Sequence, residues 1–221
     1  MKRVALITEA STSLGDQLVR RYLSEGYSVA ATCSGQARID TPVVSEEEDL
    51  LVIDWNRNSP ISAKNVLLTA LNRFDTIDET LLLLTPELDQ KLLQETAAET
   101  IDRAVDAWIK GPLFLIKAVL VLYGRKQEGF LALINHVPQV AAAVPPPLES
   151  ALRGSFRATA EAIFAGIGQQ NIFVNGFESH STKIEELADF IFDTISSKGI
   201  RTTGKWYRFP SRPGILSAFK A

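Results

Sequence analysis

Residues 8–15 read Thr-Glu-Ala-Ser-Thr-Ser-Leu-Gly and lie between the apolar run Val4-Ala5-Leu6-Ile7 and a helical pattern from Leu14 to Leu23. A strand, a tight turn and a helix in that order can offer backbone N–H groups to a pyrophosphate at the helix N-terminus. Thr8, Ser11, Ser13, Leu14 and Gly15 are the candidate cofactor-binding residues of this turn. Gly15 also allows close approach of helix and strand. Glu9 places a carboxylate in the same turn, where it would repel a diphosphate if it pointed inward. Further along, His136 can titrate near neutrality, and Glu149 and Arg153 stand four residues apart, within reach of each other on one helix face. Asp54 ends a strand-like run, a place from which an aspartate caps the following turn. Cys33 is the single cysteine, so it forms no internal disulfide and no cysteine metal cluster, which suits a reducing cytoplasm.

These residues need elements to position them. Strand-like runs near 3–8, 28–33, 50–54, 80–85, 129–135, 171–177 and 204–209 alternate with helical segments near 14–25, 60–73, 90–124, 148–168 and 183–197. The segment 90–124 is expected to be broken. Such alternation predicts an α/β fold, a Rossmann-type doubly wound parallel sheet of about seven strands flanked by helices on both faces. Residues 34–48, with an acidic run and no clear periodicity, are expected to be mostly loop. Residues 208–221 are rich in Pro, Gly and Arg and are expected to form a surface tail.

With 221 residues, 46% of them hydrophobic, residues 1–221 are expected to form one domain. Lys plus Arg number 23 and Asp plus Glu 26, giving a net charge of −3 without a basic block, so nucleic acid is not an expected partner. The most apolar segment, 112–123, contains Lys117 and falls short of the ~20 residues of a bilayer span. A soluble, cytoplasmic protein without a metal site is expected.

Residues 4–32, Leu50 to Asp54, 74–84, 109–123, 132–135 and Ile172-Phe173-Val174-Asn175 together resemble the short-chain dehydrogenase/reductase family, over nearly the whole chain. The more specific pieces are the remnant at residues 8–15, Val174-Asn175 and Thr203-Gly204. The resemblance implies a seven-stranded Rossmann sheet, NAD or NADP as cofactor, and an Asn-Ser-Tyr-Lys tetrad. Carried over residue by residue, the tetrad positions hold Trp108, His136, Glu149 and Arg153. The family's Thr-Gly-x-x-x-Gly-x-Gly loop reads Thr8-Glu9-x-x-x-Ser13-x-Gly15. The ribose-reading acid falls on Cys33, the Asn-Asn-Ala-Gly segment is replaced by the leucines at 81–84 and then Thr85-Pro86, and the substrate lid is largely absent because Lys183 already opens the next helix. Asp54 is retained at the adenine-contacting place.

A glutamate in place of the tetrad tyrosine carries the wrong resting charge to donate a proton at neutral pH unless burial raises its pKa. No catalytic residue is therefore expected by the family mechanism, and the leading expectation is a catalytically degenerate homologue that acts through assembly or through binding a protein partner. Two alternatives stay open: an enzyme, either a divergent NAD(P)-dependent oxidoreductase with a relocated acid/base or another reaction run by His136 and Glu149 as a substituted acid/base pair, and an NAD(P)-binding sensor without turnover. The resemblance also implies a homodimer or homotetramer through the helices around 104–123 and 150–165. Leu113, Ile116 and Leu120, with Ala151, Gly154, Ser155, Ala158 and Ala162, would form its face. Trp108 is expected to pack, Cys33 to be a small strand-end residue, and His180 to be solvated.

Overall fold

The computed structural model describes residues 2–33, 48–86, 91–138, 146–168, 171–197 and 202–210. Its strands are β1 (Val4–Ile7), β2 (Ser28–Cys33), β3 (Leu50–Asp54), β4 (Glu79–Leu84), β5 (Gly129–His136), β6 (Ile172–Ser179) and β7 (Trp206–Phe209). All neighbours pair in parallel in the order β3-β2-β1-β4-β5-β6-β7, the doubly wound sheet expected. The interior strands β1, β2 and β4 are buried on both faces, which is why their apolar residues follow one another directly, at 4–7, 29–31 and 81–84, rather than alternating with polar ones. The edge strand β3 departs from that pattern, with Val52 52% exposed.

Helices α1 (Ser13–Ser24) and α6 (Ile184–Ser196) cover one face of the sheet. Helices α2 (Pro60–Phe74), α4 (Gly111–Lys126) and α5 (Pro147–Gly166) cover the other. On α6, Leu187, Ala188, Ile191, Phe192 and Ile195 are buried at helical spacing. The α2 start is set by Ser59, whose hydroxyl accepts from the Ser62 N–H at 3.2 Å, with Pro60 in the first turn.

The break expected within 90–124 resolves into a 3₁₀ turn at Leu93–Glu95, helix α3 (Ala98–Val105), a π-helical turn at Asp106–Lys110, and α4. The expected loop over residues 34–48 and the tail over 208–221 fall largely outside the described residues. Ile116 is 3% exposed and belongs to the chain's own core, so it cannot serve the intersubunit face expected of it. Leu113 remains 43% exposed, and Ala151, Gly154, Ala158 and Ala162 are exposed along α5. Among the described residues no helix is long and apolar enough to cross a membrane.

One buried charge lies at the N-terminal end of the sheet. Glu79, the first residue of a strand otherwise made of Thr and Leu, is fully buried. Its carboxylate pairs with Arg3 at 2.6 Å and accepts from the Tyr22 hydroxyl at 2.8 Å. Burial raises its carboxyl above the ordinary value, against the opposing pull of Arg3 and the tyrosine hydroxyls. Between the ordinary and the raised pKa the unfolded chain gives up its proton while the folded chain keeps it, so this group lowers stability as pH rises through that window. Glu79→Gln is expected to flatten that part of the pH profile. Urea midpoints of both proteins between pH 4 and 7 check this, and parallel profiles would overturn it.

Candidate functional site

In an open α/β sheet, ligands bind at the C-terminal ends of the strands, where the winding reverses. Here the reversal lies between β1 and β4, and the turn at residues 8–15 stands over it. Thr8 does not face outward. It is fully buried, and its hydroxyl accepts from the Leu83 N–H at 2.9 Å, tying the end of β1 to β4. Glu9 has φ 57°, the left-handed conformation that favours glycine, so the backbone keeps a shape its side chain makes costly. Its carbonyl accepts from the Thr12 N–H at 2.9 Å and the Thr12 hydroxyl at 2.8 Å. Thr12 then caps α1, accepting from the Gly15 N–H at 3.1 Å. A Cβ on Gly15 would overlap that same Glu9 carbonyl. Ser11 and Ser13 are exposed, and Leu14 is buried.

The Glu9 carboxylate is buried and forms an ion pair with Arg57, itself 8% exposed, just after β3. The Arg57 guanidinium lies 4.0 Å from the centroid of the Trp108 ring and 5.6 Å from that of Trp55. Trp108 comes from the π-helical turn, a distortion that frequently marks functional positions. The next helix begins with Gly111, where a Cβ would sit 2.7 Å from the Arg57 Cβ; only glycine lets the Arg57 backbone come this close. Burial pushes the Glu9 carboxyl up and the Arg57 guanidinium down, and each is held charged by the other. Among the described residues the Arg57 Nε has no hydrogen-bond partner. Arg57 and Trp55 went unread in the sequence; the signal was Glu9 itself, since a carboxylate in a buried turn demands a cation.

At the other end of the crevice, His136 is 3% exposed, and its Nε2 meets the Ser181 carbonyl at 3.0 Å. A carbonyl only accepts, so Nε2 carries the proton. Burial is the main cause lowering the pKa of His136, which keeps the ring neutral at neutral pH. Glu149 is 5% exposed and pairs with Arg153 at 3.5 Å rather than with His136. The connection after β6 explains the rearrangement: it folds back over the end of β5, with the Val137 N–H donating to the Ser179 carbonyl at 3.3 Å. That brings the Ser181 carbonyl to His136 and the His180 ring to Arg153. His180 is exposed yet held, since its Nδ1 donates to the Val137 carbonyl at 3.1 Å and its Nε2 accepts from Arg153 at 3.1 Å.

Beside His136 lies a cavity of about 230 Å³, lined by Thr12, Ser13 and Leu14 at the start of α1, Thr85 and Pro86 after β4, His136 to Pro138, Thr182 and Ile184. Of the four tetrad positions, His136 alone lines it. The Thr85 hydroxyl is buried and has no hydrogen-bond partner among the described residues. Asp54 is exposed at the end of β3 and Cys33, its register partner on β2, is buried, with burial pushing the thiol pKa up. Among the described residues no group of three His, Cys, Asp or Glu side chains could hold a metal ion.

No family model and no curated protein matches the sequence. Solved structures do match. A short chain dehydrogenase from Bacillus anthracis superposes with a TM-score of 0.80 at 15% identity, over 93% of this chain and 94% of that one. A 3-ketoacyl-(acyl-carrier-protein) reductase from Brucella melitensis, complexed with NADH, gives 0.78 at 16% identity over 94% and 96%. A serine dehydrogenase from Escherichia coli gives 0.75 at 14% identity over 92% and 95%. The fold is that of the short-chain dehydrogenases and reductases, as the residue pattern leads one to expect.

Proposed function

We propose that this chain is a divergent short-chain dehydrogenase/reductase homologue that does not perform the family's hydride transfer and acts through assembly or partner binding. The observation that carries this reading is the buried Glu9–Arg57 pair under Trp108. A dinucleotide in this architecture sets its pyrophosphate at the start of α1 and its adenosine half towards the ends of β2 and β3. The ion pair joins the turn after β1 to the connection after β3, across the ground that half would need. These side chains do not fit NAD or NADP held in the family's manner. The tetrad positions support the same reading: Trp108 stacks on Arg57, and Glu149 is tied to Arg153.

Calorimetric titration with NADH and NADPH tests it. Wild-type protein is expected to show no binding at millimolar cofactor, while the double variant Glu9→Gly/Arg57→Leu, with the crossing removed, is expected to gain measurable affinity. Turnover of a carbonyl substrate with either cofactor, abolished by Glu149→Ala, would overturn the proposal.

A second reading, a dinucleotide sensor without turnover, is favoured by one specific observation: the open cavity beside the start of α1, with Asp54 exposed at the adenine-contacting place. It predicts wild-type affinity without oxidation, so the same titration separates the two. For assembly, a homodimer or homotetramer through the helices around 104–123 and 150–165 is supported by Gly154, where an added Cβ would meet nothing within 4 Å and a partner helix has room to approach.

A further inference from the structure

Helices α2 and α4 together carry Lys64, Arg73, Lys117, Arg125 and Lys126 and not one Asp or Glu. In a chain of net charge −3 that segregation sets their outer side against the sign of the whole. Between the two helices runs a groove of about 470 Å³. Leu67 and Leu71 of α2 and Phe114 and Leu122 of α4 form its apolar walls. Leu68 and Val121 open to solvent at 55% and 49% exposure. The lining positions recur at helical spacing, from Pro60 to Leu71 on α2 and from Phe114 to Arg125 on α4. At 1.5 Å per residue that makes the groove about 16 Å long, the length of a three-turn helix.

Lys64, Lys117 and Arg125 line the same groove, are exposed, and make no ion pair among the described residues. By contrast Lys126, on the sheet side of α4, is committed to Asp78.

We propose that this groove docks an amphipathic helix of a partner protein, with apolar side chains facing Leu68 and Val121 and Asp or Glu along its flanks meeting Lys64, Lys117 and Arg125. It rests on the partner-binding reading above and gives that reading a surface and a partner chemistry. An amphipathic helix laid in an apolar groove is a recurring recognition mode, and the charges beside it set partner choice. A second copy of this chain does not suit the groove, because a two-fold axis there would set cation against cation. A lipid surface does not suit it either, because the apolar side chains line the walls of a concavity rather than a protruding face.

The test is selection of random 15-residue peptides on phage against the full chain, followed by synthesis of the enriched sequences. Enriched peptides are expected to carry apolar residues at i, i+3 or i+4, and i+7, flanked by Asp or Glu. Their affinity is expected to fall about tenfold for Lys64→Glu/Lys117→Glu/Arg125→Glu, the combined effect of three exposed charge pairs. Leu68→Asp alone should weaken binding as well. These side chains are exposed and outside the core, and an unchanged circular dichroism spectrum and thermal midpoint confirm that the variants fold. Enriched peptides without acidic residues, or peptides indifferent to the triple variant, would overturn the proposal. So would self-association, or binding to phosphatidylserine vesicles, that the triple variant abolishes while no acidic peptide is selected. Failure here with NADH still unbound removes the groove and leaves the proposed loss of hydride transfer standing; NADH turnover alongside acidic peptide selection does the reverse.

Discussion

Arg57→Leu is expected to destabilise the folded chain by about 3–5 kcal/mol at neutral pH, the cost of removing one partner of a buried ion pair. The reason is what stays behind. Glu9 is 4% exposed, and Arg57 is the cation that offsets its burial. Without it the carboxylate must stay charged in a poor solvent or take up a proton at an energetic cost. That gives the loss a pH dependence: it should shrink towards pH 4, where a neutral Glu9 leaves no uncompensated charge. The double variant Glu9→Gly/Arg57→Leu is expected to recover most of the loss, because neither charge remains and glycine relieves the left-handed turn at φ 57°. The effects are then strongly non-additive, as for any pair in direct contact. Urea denaturation of the two singles, the double and wild type closes the cycle. A single-variant loss below about 1 kcal/mol, the range of an exposed pair, would show that the pair is solvated and does not close the crevice.

The order of strands and helices was legible because each depends on local pattern. Runs such as residues 81–84 are apolar throughout because parallel strands are covered on both sides, and Leu14, Leu18 and Tyr22 mark one face of α1 at helical spacing. The π-helical turn at Asp106–Lys110 was not legible, since its residues form an ordinary helical string. What distinguishes it is tertiary: Trp108 lies over Arg57, and Gly111 meets the Arg57 backbone. The site divides in the same way. Positions 108, 136, 149 and 153 are linked to one another as tetrad places only through the resemblance, although their residue types stand openly in the sequence. Their partners do not, because His136 bonds to a backbone carbonyl, which every residue has, and Arg153 reaches a histidine from another strand end. Glu79 is hidden for a similar reason: it opens a leucine strand, and the residues that hold it are scattered, Tyr22 on α1, Arg3 just before β1 and Tyr27 just before β2.

Gly15→Ala is expected to cost about 3 kcal/mol, the upper end for adding a methyl group to a filled space. The new Cβ overlaps backbone, the Glu9 carbonyl, rather than the end of a mobile side chain. That carbonyl has little freedom to yield. It accepts two hydrogen bonds from Thr12, and the same residue is anchored at its carboxylate by Arg57. A loss of this size in a chain of this length lowers the thermal midpoint by roughly 6–12 °C. Gly166→Ala is the matched control, since it lies beyond the segments proposed for assembly, its Cβ would meet nothing within 4 Å among the described residues, and a helical position gains up to about 1 kcal/mol from the exchange. Circular dichroism melts are expected to move in opposite directions for the two variants. If the turn is rigid because Arg57 anchors it, Gly15→Ala should cost less in the Glu9→Gly/Arg57→Leu background, where the carbonyl can rotate away. An equal cost in both backgrounds would mean that the Thr12 bonds alone hold the turn and that the ion pair has no part in shaping it.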